Sequence, residues 1–383
     1  MAQVTTDISK YVGTSGDPVA NASALQSIAI AMAKQSGAIV NNNPGVIPIG
    51  SAIPGRPIVK SGAMGEWRTP GTTFRVADRQ PVFDAASTTP VCAFEFVGAP
   101  RSDLQFTVDC NGAGQIASAV NNPKGYYMHG VRWMKPVAPA RGDVTILNVR
   151  GVTSMTQTDP TKGLVAETFF WQTLGGLGGE DLTIRMATKD GSPSASGGVF
   201  QQIDPAGALS QLLIAAYGIR HGFGCWGGGR ILIRPGSIFL NCQTLINIEA
   251  GMRGTPSVQI GLPINPNPGF PQVIAHNKGN YGKGLSINGN NPNGIQIGNV
   301  DAYDLDVRGV QLGAHLSNAA PGKVTFVRTH FGASVAAIDC GGKSVPRGNN
   351  VYLVKSEFDA ESATAIAVKG GSIPLTNGKL ALV

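Results

Sequence analysis

The sequence predicts an all-β chain folded as a right-handed parallel β-helix, a β-solenoid, with an N-terminal capping α-helix. Three observations predict this class. Glycine accounts for 52 of 383 residues and charged residues for only 14%, which indicates many turns and few long amphipathic helices. A single segment has helical periodicity. The C-terminal third contains an internal repeat with a period in the twenties, which is typical of stacked structural repeats.

The predicted helix spans residues 21–36. Asn21 can cap its first turn and Gly37 can end it. Its apolar residues recur at helical spacing, and they are Leu25, Ile28, Ala29 and Met32. The first predicted strand, Ala38–Val40, follows immediately.

Beyond this strand, short runs of Val, Ile and Phe are separated by Gly, Asn and Pro turns, a pattern that predicts strands. The clearest upstream strands are predicted at Thr73–Val76, Ala93–Val97, Leu104–Val108, Tyr126–His129, Val144–Val149, Leu182–Met186, Ile231–Ile233 and Leu245–Ile248. Longer Gly- and Pro-rich loops, of the kind that often carry function, are predicted at 41–72, 151–163, 188–199 and 261–283.

The internal repeat predicts how the strands stack. Val324–Phe331 aligns without gaps on Val351–Phe358, a period of 27, and a weaker copy begins at Ile295–Ile297. Each copy leads to a second apolar run, so each repeat supplies two strands, as a solenoid coil requires. Stacked coils align equivalent side chains, which predicts Phe326 over Leu353 and Phe331 over Phe358. The second runs are Val310–Leu312, Ala336–Ile338 and Ala365–Val368.

The distribution of charge and the use of cysteine argue against several classes of protein, including nucleic-acid-binding proteins. The net charge is +7 and the pI is near 9.2, yet no two Lys or Arg residues are adjacent. Nucleic-acid binding needs a clustered basic patch, so no nucleic-acid partner is expected. An acidic polysaccharide is compatible with this charge, although a low-charge surface that is simply slightly basic explains it equally well.

The five cysteines are predicted to be buried, reduced thiols, because they are odd in number, far apart and form no CxxC pair. They are Cys92, Cys110, Cys225, Cys242 and Cys340. No metal site and no cofactor are expected. The longest helical apolar stretch, Ala22–Ala33, is too short to cross a bilayer, and Met1–Lys10 lacks the features of a secretory signal.

One segment resembles a known family. Gly16-Asp17, Ala24-Leu25-Gln26 and the glycine and strand that follow at Gly37–Val40 are similar to the entry segment of the pectate-lyase-like β-helix superfamily. The resemblance implies that the helix closes the N-terminal mouth of the solenoid, with Leu25, Ile28 and Met32 as its inner face. The sequence departs from the family by having Val19-Ala20-Asn21 where acidic residues commonly precede the helix.

The family includes polysaccharide lyases, glycoside hydrolases and trimeric bacteriophage tailspikes. The resemblance and the missing signal together favour a bacteriophage tailspike or tail fibre, made in the host cytoplasm and located in the virion. Residues 1–20 would dock it on a tail, baseplate or adaptor protein, and residues 21–383 would form the β-helix that engages host surface polysaccharide. A homotrimer is expected from the resemblance to trimeric tailspikes and from the last strand-like segment, Lys379–Val383, which has no following cap.

Two alternatives remain open at this stage. The first is a polysaccharide-degrading enzyme, a lyase or a glycoside hydrolase, on the same scaffold. The second is a capsid or baseplate decoration protein of a phage.

The candidate catalytic residues are acidic. Glycoside hydrolysis needs two carboxylates facing one bond, and Glu180-Asp181 is the only adjacent acidic pair. Asp301, Asp304 and Asp306 form the densest acidic cluster, in which Asp304 and Asp306 would share one face of a strand. A solvated acidic wall explains that cluster as well.

Basic and mixed clusters are weaker candidates. A lyase would use a base close to a residue that neutralises a uronate, and the basic residues Arg220-His221 and Arg230, with Glu249, could be arranged in this way. In the repeat, His330 is expected to stack near Glu357 as a surface ion pair, with Arg328 near Lys355.

Aromatic residues are the candidates for glycan binding, because a pyranose ring stacks on an aromatic face. Trp226 lies in a Gly-rich segment, and Trp67, Tyr126 and Tyr127 are the other candidates. Trp133 and Trp171 are interpreted as packing residues. Burial between neighbouring subunits is the alternative for all four tryptophans.

Overall fold

A computed structural model gives the structure of part of the chain in two compact units, Met1–Phe200 and Gln201–Val383. The residues that it describes are 4–35, 37–51, 58–61, 66–78, 91–97, 103–111, 128–134, 141–148, 172–174, 179, 181–187, 201–202, 208–226, 229–249, 256–288, 298–317, 323–340, 351–369 and 381–382.

Unit one contains the helices and eleven short strands. A 3-10 helix spans Ile8–Lys10, and α1 spans Pro18–Gln35. Strands β1 to β11 are Thr5–Asp7, Ala38–Val40, Val46–Ile49, Val59–Ser61, Glu66–Val76, Val91–Val97, Asp103–Asp109, Met128–Met134, Arg141–Leu147, Gln172–Leu174 and Asp181–Ala187.

The strands of unit one stack in two parallel ladders. The first runs from β1 through β2, β5, β7 and β9 to β11, with β3 also paired to β5, and the second runs from β4 through β6 and β8 to β10. Inward-facing aromatic rings from both ladders meet at centroid separations of 5.2 to 6.5 Å. They belong to Trp67, Phe74, Phe94, Phe96 and Phe106.

The capping helix forms, with corrected bounds. It begins at Pro18 rather than Asn21, because the Asp17 carboxylate accepts a hydrogen bond from the Ala20 amide at 2.8 Å and caps the first turn. Asn21 is instead buried inside the helix, where its side-chain amide donates to the Gly13 and Pro48 carbonyls. The face that packs on β2, β3 and β4 consists of Asn21, Ala22, Leu25, Ala29 and Met32, whereas Ile28 is only half-buried.

Described residues of the predicted leader also contribute a strand to unit one. Thr5–Asp7 pairs in parallel with Ala38–Val40 and so adds a strand to the first ladder. The predicted loop at 41–72 is also corrected, since it contains β3, β4 and the start of β5. Within the part of the chain that the structure describes, no helix is long and apolar enough to span a membrane.

In unit two, the described strands other than β12 belong to three walls. Strands β12 to β28 are Gln201–Gln202, Leu209–Tyr217, His221–Trp226, Gly229–Ile233, Ile238–Leu240, Thr244–Glu249, Pro256–Ile260, Val273–His276, Lys283–Asn288, Val300–Tyr303, Leu305–Ser317, Val324–Val327, His330–Asp339, Val351–Val354, Glu357–Ala360, Ile366–Lys369 and Ala381–Leu382. Val273–His276 corrects the loop predicted at 261–283.

Each wall is a continuous parallel ladder, and the chain visits the three walls in turn. The first wall stacks β13, β15, β18, β21, β23 and β25. The second stacks the end of β13, then β16, β19, the start of β22, the start of β24, β26 and β28. The third stacks β14, β17, β20, the ends of β22 and β24, and β27. This pairing confirms the predicted parallel β-helix, and its right-handed sense is the one that parallel crossovers adopt.

The repeat register is confirmed. Phe326 lies over Leu353 and Phe331 over Phe358, and Val324 pairs with Val351. One copy is corrected: the strand that pairs with Val324 begins at Val300, 24 residues earlier. Ile295–Ile297 lies outside the described residues.

Four cysteines are free and buried, as predicted, namely Cys110, Cys225, Cys242 and Cys340. The structure does not describe the side chain of Cys92.

Candidate functional site

A groove of about 360 Å³ opens in unit two at the corner where the first wall turns into the second. Its charged and polar lining comes from three successive coils, and an exposed aromatic ring stands at its edge. These residues are Asp304, Asp306, Arg308, Arg328, Thr329, His330, Lys355, Glu357 and Phe270.

Asp306 is the centre of the polar network. Its carboxylate contacts His276 Nε2 at 3.0 Å, His330 Nδ1 at 3.0 Å and Arg308 Nε at 2.9 Å. Asp306 and His330 are register partners on β22 and β24, and His276 and Arg308 are register partners on β19 and β22. Parallel stacking therefore brings four outward-facing side chains from three coils into one cluster.

Asp304 and Arg328 form a second, bidentate pair. The Arg328 guanidinium donates to both carboxylate oxygens at 2.8 Å and also to the Pro263 carbonyl at 3.1 Å. Gln272 donates to the same carboxylate at 2.8 Å and to the Leu262 carbonyl at 2.7 Å. These bonds fix the loop between β18 and β19 to the groove.

That loop presents a ring to solvent. The Asn265 side chain donates to the Phe270 carbonyl at 2.9 Å and so holds the loop tip. The Phe270 side chain is 66% exposed, although a large apolar ring is usually buried. Phe270 is therefore available to a ligand in the groove.

Three groove residues occupy an unusual backbone conformation. Asp304, Arg328 and Lys355 have φ values of 46°, 50° and 49°, and each stands at the corner that follows a strand of the first wall. Positive φ is uncommon in residues other than glycine, and asparagine, aspartate and histidine adopt it more readily than arginine or lysine does. At the equivalent corner after β18 the residue with positive φ is a glycine, Gly261, with φ of 71°.

The groove carboxylates are kept ionised. Burial opposes ionisation of Asp306, but hydrogen bonds from His276, His330 and Arg308 outweigh it and hold its pKa far below the usual value. Burial likewise opposes ionisation of Asp304, and Arg328 and Gln272 lower its pKa. A glycosidase general acid needs a raised pKa, so Asp304 and Asp306 do not fit that role.

The structure separates the acidic candidates. Asp304 and Asp306 line one groove, but Asp304 stands at the corner rather than on a strand face shared with Asp306. Asp301 lies on β21 between Gln259 and Thr325 and does not line the groove. Asp181 begins β11 in unit one, and Glu180 lies outside the described residues.

The structure places the members of the mixed clusters on different strands. Arg230 lies on β15 in the first wall and Glu249 ends β17 in the third wall. His221 is buried, and burial together with Arg220 and Lys283 lowers its pKa to about 3. His330 stacks on Glu357 as predicted, yet its hydrogen bond goes to Asp306 instead.

Of the aromatic candidates for glycan binding, the structure describes the side chain of Trp67. Trp67 is fully buried in the core of unit one, where its indole donates to Thr69, so it cannot stack a sugar. Trp226 ends β14, but its side chain lies outside the described part, as do Tyr126, Tyr127 and Trp171 and the side chain of Trp133.

Sequence reasoning missed His276, Arg308 and Phe270. Arg308 lies two residues after Asp306, an alternation that could have marked it as a neighbour on the same strand face. His276 and Phe270 lie some 30 residues upstream, in a segment interpreted as loop, so no local pattern pointed to them. Among the residues that the structure describes, no group of His, Cys, Asp or Glu is arranged to hold a metal ion.

The fold and the groove together define a parallel β-helix protein with a preorganised polar site on its outer wall. No protein-family model and no curated protein matches the chain. Among solved structures, the chain is similar to the Azotobacter vinelandii mannuronan C-5 epimerase AlgE6 A-module, with 12% identity and a TM-score of 0.39 over 96% of this chain and 98% of that one. A similarity of this strength says nothing about function.

Proposed function

We propose that this chain recognises a polysaccharide through the groove in unit two. The observation that carries the proposal is the exposed Phe270 ring beside a cluster of hydrogen-bonded planar groups. A sugar presents an apolar ring face, which stacks on an aromatic ring, and hydroxyls, which pair with polar groups at fixed positions.

The polar groups are held before any ligand arrives. Asp306 is fixed by His276, His330 and Arg308, and Asp304 by Arg328 and Gln272. Ordering these side chains on binding therefore costs little free energy, which favours affinity. The Thr329 hydroxyl, which is buried beside the groove, has no partner among the described residues.

We further propose the biological setting: a bacteriophage tailspike or tail fibre, a homotrimer in the virion, that attaches to host surface polysaccharide. The support is the entry segment around Gly16–Val40, which resembles a superfamily that includes tailspikes, and the parallel β-helix itself. A virion docking partner belongs to the same proposal. The decoration-protein alternative predicts no glycan binding.

A second function, polysaccharide cleavage, is favoured by one observation. His330 bonds to Asp306 through Nδ1, and a carboxylate that orients a histidine through one ring nitrogen leaves the other to act as a general base. Elimination next to a uronate carboxylate needs such a base. Hydrolysis by Asp304 and Asp306 is not favoured, because both carboxyls stay ionised.

The test is binding of fluorescent capsule and lipopolysaccharide fragments from candidate hosts. We expect Phe270→Ala to weaken binding about tenfold, equivalent to roughly 1.4 kcal/mol. Ile264→Ala is the matched control, because Ile264 lies in the same loop, is 83% exposed and does not line the groove. The same incubations are assayed for new reducing ends and for the ultraviolet absorbance of unsaturated sugars.

Binding that produces no new reducing ends and no unsaturated sugars supports the attachment function and rejects polysaccharide cleavage. Unsaturated ends that disappear in His330→Gln support the lyase. The proposal fails if no fragment binds, or if Phe270→Ala binds as tightly as the unchanged protein.

A further inference from the structure

We infer that the groove selects a polysaccharide in which acidic sugars are separated by neutral ones, and that Lys355 binds the acidic group. This inference rests on the proposed glycan-binding function and specifies its ligand class. It follows from which charges of the groove are already neutralised and which are not.

Two of the three permanent cations are neutralised internally. Arg308 is paired with Asp306 at 2.9 Å and Arg328 with Asp304 at 2.8 Å. Since both arginines already satisfy a carboxylate, neither is available to a carboxylate of a ligand without breaking its pair. They can still donate their remaining N–H groups to sugar hydroxyls.

Lys355 differs from both arginines. It lines the same groove and is exposed, and within the described part of the chain it forms no ion pair within 4 Å. An exposed ammonium on a flexible stem is a point charge that can meet an anionic group over a range of positions. Lys355 is thus the positive charge that the groove offers to a ligand.

The backbone at this corner has a conformation that lysine seldom adopts. Lys355 keeps a φ of 49°, a conformation that glycine or asparagine adopts at lower cost. Asp304 and Arg328 occupy the same corner in the two preceding coils, and both line the groove. Residues in sparsely populated conformations concentrate at ligand sites.

Glu357 limits the charge density of the ligand. It also lines the groove, is exposed and makes no ion pair in the described part of the chain. Its carboxylate accepts from sugar hydroxyls but repels a second acidic sugar nearby. Among the described residues, the groove therefore offers one unpaired positive charge and one unpaired negative charge, which suits one acidic sugar beside a neutral one.

The distance between Lys355 and Asp304 along the coils is consistent with the binding of neighbouring sugars of one chain. Lys355 stands two coils from Asp304, which is about 10 Å at the usual strand separation. The Phe270 loop is tied to Asp304 through Gln272. A chain that stacks a neutral ring on Phe270 can therefore extend along the coils and place an acidic group at Lys355.

The experiment compares ligands that differ in charge pattern. The probes are hexasaccharides of hyaluronan and heparosan, which carry a carboxylate on every second sugar, the same two after carboxyl reduction, and hexagalacturonate, in which every sugar is charged. Affinities are measured for the unchanged chain and for Lys355→Met, Lys355→Arg and Lys355→Asn. The control is Lys278→Met, which alters an exposed lysine outside the groove.

We expect an alternating hexasaccharide to bind at least about tenfold more tightly than its reduced form and than hexagalacturonate. Lys355→Met and Lys355→Asn should abolish the preference over the reduced form, and Lys355→Arg should retain it. Asparagine tolerates positive φ, so Lys355→Asn separates loss of charge from strain in the fold.

Equal losses for acidic and reduced ligands in Lys355→Met would overturn the inference, as would tighter binding of hexagalacturonate. The inference also fails if only neutral or reduced glycans bind, although the proposed function would then stand. If no glycan in either panel binds, the proposed function itself fails.

Discussion

Asp306 organises the groove because a single carboxylate accepts hydrogen bonds from two histidines and one arginine. Its pKa lies well below the value of 3.8 for an unperturbed aspartate. The folded chain therefore favours the ionised form more strongly than the unfolded chain does. The resulting stabilisation is fully present above the unfolded pKa and is lost as the pH falls toward the folded pKa.

We expect Asp306→Asn to lower the free energy of unfolding by about 1 to 3 kcal/mol at neutral pH, because it removes a charged acceptor that three donors share. The difference from the unchanged chain should shrink as the pH falls below about 4. Urea unfolding at a series of pH values measures it. A difference that grew with acid would contradict the assigned direction of the pKa shift.

At the scale of single residues, the reactivity of the cysteines tests whether their thiols are buried. Burial raises the pKa of the Cys242 thiol to about 12, and it raises the pKa values of Cys110 and Cys340 as well. Only the thiolate reacts with disulfide reagents. In mildly alkaline buffer we expect the four described cysteines to stay unmodified in the folded chain, and all five to react in denaturant. Rapid modification of Cys242, identified by peptide mass, would refute its placement in the core.

At the scale of elements, the coils are stabilised by side chains that stack from one coil to the next. Phe331 lies over Phe358, and both rings are fully buried. Phe326 packs edge-on against Phe331 at 5.2 Å between centroids. The same stacking that fills the interior also aligns the outward side chains of the groove, because both sets of residues share the strand register.

Phe358→Ala should therefore cost about 3 to 5 kcal/mol of unfolding free energy, since it opens a cavity in a closely packed column. Ile366→Ala provides the comparison, because Ile366 lies nearby on β27 but is 46% exposed. Its effect should stay within about 0.5 kcal/mol. Similar losses in both variants, measured by chemical unfolding, would mean that the column is not the source of stability.

At the scale of the whole molecule, the proposed self-association has a directly measurable mass. The homotrimer is a proposal that rests on the family resemblance. Sedimentation equilibrium should give three times the chain mass of 39.6 kDa. A mass equal to one chain at all concentrations would reject the trimer and weaken the tailspike setting, while leaving the groove unaffected.

Local patterns predicted much of the fold. The helix, most strands and the pairing of Val324 with Val351 could be predicted, because stacked positions must be chemically alike to fill one column. The loop predictions failed at Val46–Ile49 and Val273–His276, since strands of four residues are too short to show a period. The cap at Asp17 was missed because Asn21, another good capping residue, stands four positions later.

The sequence by itself determined the class of fold and the register of its last coils, since both follow from repeating hydrophobic character. Only the tertiary structure decided the site. His276, Asp306 and His330 come from separate coils, and the loop carbonyl that Arg328 binds lies 65 residues away in the chain. Groove residues need only be complementary to one another across coils, so their chemical character is not repeated along the chain, and contacts such as that between His276 and Asp306 arise only when the coils stack.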